Sequence, residues 1–401
     1  MIVFKKQVVS FFVLSFLFLG VLLFFITSCV KTRLLEPPIE EDVYWNHFLS
    51  KEDTTINFIT NAAVAENLLL CTTVGIMTMF DDITSGVSFM KSLYHIATVF
   101  DTPPLLSRDL LIAPVVNKTD EILFIHYEKT SYSAGALLTS DFREDFADWS
   151  FEQRRTFGAM NDQNRFVTVM TNNNRGVPEH EIRNYIVYAD IEIFPHPMSS
   201  AVRVVNTGHW RTPSMQGTAL RIEDIFAFKD KFYISFFQFN QKNLDRWAYC
   251  VEISSDGTIK EFDNPFGYRL NNIYKFFEYD GYLFAHAIDK TLRYTVDGEN
   301  WIALYTLTPV VNTFKVIDGF LFVHLKDNIY MIDDLLGDTK GYRLPKENRA
   351  GSTITAINKF KDDLVIATTH GLYYKSFEEV MNDKELAFSL DRGVLNLEGG
   401  L

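Results

Sequence analysis

Apolar and polar residues follow one another along this chain in short runs, and the runs are cut by turns at Asp. In the stretch Ile273 to Trp301, Tyr279-Asp280-Gly281 interrupts the pattern and Tyr282-Leu283-Phe284-Ala285 is apolar. Lys290 to Tyr294 then alternates, and Asp297-Gly298 precedes Trp301. Strand runs bounded by Asp-Gly pairs fold back as hairpins, so this stretch predicts a β-meander. The same frame, a turn at Asp followed by an apolar run, recurs at Phe228–Ser235, Ile317–His324 and Phe360–Ala367. Asn67–Met77 repeats the apolar pattern of Asp363–Tyr373, including a shared Thr-Thr-x-Gly, and Thr119–His126 and Asn164–Val169 read as weaker copies.

Turns near 66, 120, 162, 230, 280, 318 and 362 give seven units at intervals of 38 to 68 residues. A three- or four-stranded meander cannot bury both of its faces alone, whereas radial stacking of such units does so and leaves only short edges. The expectation is therefore an all-β fold, a seven-bladed β-propeller over residues 44–401. A β-helix would need a shorter, more regular period, and two sandwiches would give two blocks instead of one frame. Helical candidates are nearly absent; Phe377–Leu386 reads as a short helix or a connecting turn. Closure of the ring falls either to Tyr44–Ile59 or to the tail Ala387–Leu397, and Val394–Leu397 pairing with the first blade is one expected seal.

Composition adds 36 Phe and 18 Tyr in 401 residues, an aromatic content that favours strands. The N-terminus changes the picture more. Lys5 and Lys6 precede an apolar run from Val8 to Ile26, which ends in Ile26-Thr27-Ser28-Cys29. This resembles a bacterial lipoprotein signal with its lipobox. The resemblance implies a signal peptide at 1–28, a lipidated Cys29, a tether over 29–43 holding Pro37, Pro38 and the acids Glu36, Glu40, Glu41 and Asp42, and a folded domain anchored to the membrane of the cell envelope. The other reading of the run is an uncleaved transmembrane anchor; both leave the domain outside the cytoplasm. Removal of Lys5 and Lys6 would take the net charge from −13 to −15. Nucleic acid needs a basic footprint, so it is excluded as a partner. Cys71 and Cys250, each in a predicted strand, read as buried thiols, with a disulfide as the alternative that an exported protein permits.

Thr295-Val296-Asp297-Gly298-Glu299-Asn300-Trp301 resembles the Asp-box of sialidase-like and sortilin-like propellers, one residue shorter than that motif's usual spacing. The logic is local: the Asp297 carboxylate accepts from turn N–H groups while Trp301 covers the hairpin. Ser255-Asp256-Gly257-Thr258 has the turn without the Trp. The resemblance implies a propeller, with Thr295, Asp297, Gly298 and Trp301 as structural residues of its rim. The whole chain resembles a Bacteroidetes-type lipoprotein propeller.

Candidate chemistry is sparse. His126, His286 and His324 fall at one apparent repeat position, after an apolar run, where they would face a central channel; three imidazoles could bind zinc, and half-buried structural histidines are the plainer reading. Arg154, Arg165, Arg211 and Arg221, with Tyr185 and Glu223, are the only material for a sialidase-type arginine triad, and Arg221-Ile222-Glu223 lacks the Pro of the family's segment. Trp149, Trp210, Trp247 and Trp301 could stack on sugars. Thr171–Glu181 and Thr212–Gly217 are long polar loops of the kind that carry binding faces. No catalytic residue, metal site or cofactor is assigned. The expected function is a binding or scaffold module for a glycan or an envelope protein; the alternative is a propeller glycoside hydrolase or lyase, which would need paired carboxylates roughly 5–10 Å apart.

Overall fold

The computed structural model describes residues 45–48, 59, 61–65, 68–73, 76–80, 89–90, 105–107, 110–115, 118–128, 131–142, 149–151, 158–172, 184–194, 201–210, 219–239, 246–262, 273–287, 290–308, 314–325, 328–345, 352–390 and 394–396. The expected signal peptide and tether lie outside them, as do Cys29, Arg154 and Arg211.

The described strands form seven sheets, taken in chain order. Sheet 1 runs Asn61–Ala65, Leu68–Thr73, Ile76–Phe80, Phe89–Met90, and sheet 2 runs Leu105–Ser107, Leu110–Val115, Lys118–Glu128, Ser131–Leu138. In sheet 3, Gly158–Met160 is followed by Arg165–Thr171, Asn184–Phe194 and Ala201–Trp210, with Ser150–Phe151 also paired to Arg165–Thr171. Sheet 4 is Ala219–Phe228, Lys231–Phe239, Arg246–Ile253, Ile259–Phe262. Sheet 5 begins Ile273–Tyr279, Tyr282–Ala287, Thr291–Thr295, Ile302–Thr308, and sheet 6 begins Phe314–Ile317, Phe320–Leu325, Asn328–Asp333, Thr339–Leu344. Sheet 7 holds Ile354–Phe360, Asp363–Thr368 and Gly371–Ser376.

The first strands of these sheets, with Gly158–Met160 serving in sheet 3, lie side by side in cyclic order, and that of sheet 7 lies against that of sheet 1. The ring is therefore closed, and the fold is an all-β propeller. Each described junction is an apolar core. Phe124 and Phe166 meet edge to face between sheets 2 and 3. Val167, Ile225 and Ile234 join sheets 3 and 4, and Phe276 and Tyr233 join sheets 4 and 5. Phe277 stacks on Phe314 between sheets 5 and 6 with centroids 4.5 Å apart. Phe322 and Ile366 join sheets 6 and 7, and Val365 and Leu69 join sheets 7 and 1. Each fully buried side chain of this kind is worth about 1.5–3 kcal/mol, so a sheet apolar on both faces is stable only between neighbours.

Local chemistry sets the hairpins. Asp280-Gly281 and Asp318-Gly319 both take positive φ at their two positions, the type I′ geometry that suits the strand twist. The fourth strand of sheet 7 is Asn46–Phe48, antiparallel to Gly371–Ser376. Beside it Trp45 is fully buried, its indole N–H donating to the carbonyl of Pro345 at 2.8 Å. The N-terminal segment thus seals the ring. The tail does not pair with the first sheet, as one expectation had it. After the helix Phe377–Asp383, Glu385–Leu390 adds a fifth strand to sheet 6, and Val394–Asn396 adds a parallel fifth strand to sheet 5. The apolar run at 394 signals a strand, but which edge accepts it is a tertiary matter.

The repeat reading errs in sheet 2. Lys118–Glu128 is one continuous third strand, so Thr119–His126 is not a copy of the second-strand frame. The second strand of this sheet is Leu110–Val115, an apolar run that the stronger apolarity of 122–125 masks in the sequence. Cys71 and Cys250 are free and buried, with burial pushing both thiols up.

Candidate functional site

Antiparallel alternation gives the ring two faces. Turns between first and second strands, such as 280–281 and 318–319, share one face with the third-to-fourth turns. The other face receives the second-to-third connections and the links between sheets. Thr171–Glu181 joins the second and third strands of sheet 3, and Thr212–Gly217 joins sheet 3 to sheet 4, so both emerge on this second, loop face. Beyond Thr171 and Asn172 these loops lie outside the described residues.

The turn face is a set of locks between sheets. In sheet 5, Asp297 accepts from the backbone N–H of Glu299 and Asn300 at 2.8 and 2.9 Å and from the hydroxyl of Thr295 at 2.9 Å. The Asn300 side chain donates to its other oxygen, and together these bonds hold the carboxyl well below the usual range. The Trp301 indole N–H donates to the Gly298 carbonyl. Gly298, at φ +82°, lies against the Tyr233 hydroxyl and Glu252 of sheet 4, and Lys229 donates to the Val296 carbonyl. The turn at Asp256 does likewise one sheet earlier: Gly257 lies against Trp210, and Arg165 donates to the Ser255 carbonyl. The Tyr305 hydroxyl, on the fourth strand of sheet 5, reaches across to Leu335 and Thr339 of sheet 6.

These contacts account for much of the sialidase material. The Arg165 guanidinium is bidentate to Asp190, at 2.7 and 3.1 Å, and lies over the Tyr188 ring; that pairing pushes its pKa up. It is a strut between sheets 3 and 4. Tyr185 packs on Trp149 and His209 toward sheet 2, away from Glu223 on the first strand of sheet 4. The strand of Arg221 is described but its side chain is not, and the same holds for Trp247. Trp149 is buried and Trp210 stacks on Tyr188, so both serve packing.

The three histidines do not converge. His286 and His324 sit at the same register, five residues into the second strands of sheets 5 and 6, near the loop face. His126 sits near the end of a third strand, toward the turn face. His286 packs edge-on against Phe314 at 5.5 Å. Among the described residues no group of three or more His, Cys, Asp or Glu could hold a metal ion.

What the sequence reading missed is a row of bulges. The first strands of sheets 4, 5 and 7 each carry an extra residue near the loop face: Glu223, Tyr274 and Thr355. Bulges re-aim side chains and gather at binding sites. Here they stand around the loop-side mouth of the ring, beside the Ser235, His286 and His324 row of the second strands. Asp224, buried next to the first bulge, accepts from Lys275 Nζ and from the backbone N–H of Phe276, both at 2.7 Å. That pair ties sheet 4 to sheet 5 and neutralises the mouth on that side. In sheet 6, Lys315 lies on the first strand with its side chain exposed, and desolvation lowers its pKa. Desolvation also lowers His324, to about 4, so its ring is neutral at pH 7. Consecutive acids such as Glu223-Asp224 would have drawn attention in the sequence; a bulge gives no such signal.

No family model matches the chain, and no curated protein matches it. Solved structures do. A catalytically inactive virginiamycin B lyase from Staphylococcus aureus, with quinupristin, is 10% identical with a TM-score of 0.50, over 83% of this chain and 98% of its own. A streptogramin B lyase is 13% identical at 0.48, over 82% and 96%. The WD40 β-propeller domain of Doa1 is 9% identical at 0.48, over 83% and 96%. At such identities the likeness to the virginiamycin lyase is one of fold, and the fold is the β-propeller.

Proposed function

We propose that this chain is an exported, lipid-anchored propeller that acts as a binding or scaffold module, held to the cell envelope through Cys29 and presenting its loop face to a glycan or an envelope protein. One observation carries this reading: the described turns at 256–257 and 297–298 on the turn face bond sheet to sheet, while the longest connection within a sheet, 172–183, and the links between sheets fall by strand direction on the loop face. Rigid rings with long loops on one face are suited to recognition. The loop-face connections are rich in uncharged hydrogen-bonding side chains, including Asn172, Asn173, Asn174, Asn240, Gln241 and Asn243, which suits sugar hydroxyls. The tether sequence and the lipobox support the anchor, and the net charge of −13 speaks against nucleic acid.

The glycoside hydrolase or lyase reading has less support. Glu223 and Asp224, consecutive acids on the first strand of sheet 4, are both buried, and Asp224 is paired with Lys275. Two experiments test the proposal. Full-length protein in detergent, applied to a glycan array and used in envelope pull-downs, is expected to retain a defined ligand without degrading it; turnover of a bound polysaccharide would favour the enzyme. Cells fed labelled fatty acid are expected to label the chain, and Cys29→Ala to release it from the membrane fraction; an unlabelled chain that stays in the membrane would favour a transmembrane anchor.

A further inference from the structure

The loop-face end of sheet 3 carries a row of rings that runs from the core to the surface: Trp149 is buried, Tyr185 is half-buried and His209 is exposed. Strand pairing sets the row. Trp149 precedes Ser150, which pairs with Thr171 at the loop-face end of the second strand. Tyr185 is the second residue of the third strand, and His209 is the last but one of the fourth. His209 is the cross-strand partner of Val187, and Tyr185 stands two residues before Val187, so both side chains leave the sheet on the side that faces sheet 2. The Trp149 and Tyr185 ring centroids are 5.3 Å apart, and those of Tyr185 and His209 are 5.0 Å apart with the rings at 89°. Trp149 belongs to the core between sheets 2 and 3 and Tyr185 packs on that core, so the exposed end of the row rests on fixed side chains.

We propose that the Tyr185–His209 end of this row is a stacking shelf for an uncharged pyranose unit of a glycan. The C–H face of such a sugar is apolar and lies flat on an aromatic ring, while its hydroxyls need uncharged donors and acceptors. Asn172, half-buried, and Asn184, buried, stand at the adjoining ends of the second and third strands, and Asn173 and Asn174 follow in the chain. The chain segments adjoining the row, 141–148, 152–157, 172–183 and 211–218, hold acids and arginines in near-equal number, seven against six, which favours a neutral ligand. One exposed ring and part of a second fall far short of the ~800 Å² per partner of a stable protein interface, so the shelf fits a sugar better than a protein surface. This inference rests on the glycan reading of the loop face; it names the class of sugar and the side chains that hold it.

The test is titration calorimetry with saturation-transfer NMR on full-length protein in detergent, using cellohexaose, mannohexaose, oligogalacturonate and a decaproline peptide as probes. A neutral oligosaccharide is expected to bind, with its ring C–H protons receiving the strongest saturation. His209→Ala is expected to weaken it about tenfold or more, and His209→Tyr, which keeps a ring, by less than about threefold. Phe194→Ser, at the turn-face end of the same third strand, leaves it unchanged. Because His209 is exposed, its variants are expected to melt with the unaltered chain, so a lost affinity reads the shelf and not the fold. Undiminished binding by His209→Ala would overturn the shelf and leave glycan binding standing. Loss in His209→Tyr as deep as in His209→Ala would overturn stacking as its basis. Preference for oligogalacturonate would overturn the uncharged class, and preference for decaproline the sugar assignment. Failure of every probe to bind would overturn the shelf, and the glycan array then decides the broader reading.

Discussion

Gly298 shows how much a single position can carry. Its φ of +82° is one that side chains rarely adopt, and a methyl group there would run into Tyr233 and Glu252 of the neighbouring sheet. Gly298→Ala is expected to destabilise the fold by more than about 1 kcal/mol, since backbone strain and a clash combine; a denaturant midpoint equal to that of the unaltered chain would show that the turn is not a lock. His324 makes a second prediction, in pH. Its folded pKa of about 4 lies below the ordinary value of 6.5, so the unfolded chain takes up its proton first on acidification. Stability is therefore unaffected by this group above about pH 6.5 and falls as pH drops toward 4, a change on the order of 3 kcal/mol. His324→Gln is expected to flatten that part of the stability curve, as read by urea titrations at stepped pH. The Asp297 turn was open to sequence reasoning because its bonds are local, within the span 295–301. The bulges were not, because an extra residue is defined only by the strand opposite it.

At the scale of elements, the repeating frame was legible wherever an Asp turn and an apolar run adjoin, as in sheets 4 to 7. It was misread in sheet 2, where two apolar runs compete and only pairing decides which is the second strand. The tail was legible as a strand but not in its partner. Glu385–Leu390 and Val394–Asn396 cover the outer edges of sheets 6 and 5, and an open edge is a route to aggregation. Deletion of residues 385–401 is expected to lower the melting temperature by several degrees and to raise light scattering on heating; calorimetry with an unchanged transition would mean that the strap adds nothing. Trp45→Ala is expected to cost more, about 3–5 kcal/mol, because the indole is fully buried at the seal and its N–H is bonded to Pro345.

For the whole molecule, the physical necessity is that sheets apolar on both faces must each find two neighbours, and a ring is the arrangement in which every sheet does. The all-β class follows from the alternating pattern, but the identity of the closing strand depends on contacts between residues some 300 positions apart, such as Trp45 with Pro345. The functional reading inherits this architecture: a sealed ring can hold one face rigid while the other varies. The most direct test is a cross-link across the seal. Asn46 pairs with Tyr374, and facing residues in an antiparallel ladder are within disulfide reach. The double variant Asn46→Cys, Tyr374→Cys, oxidised and analysed by peptide mass spectrometry, is expected to give the 46–374 disulfide in high yield with a raised melting temperature. No 46–374 link under oxidation, together with a link from Val394→Cys to Leu68→Cys in a second variant, would contradict closure by the N-terminal strand.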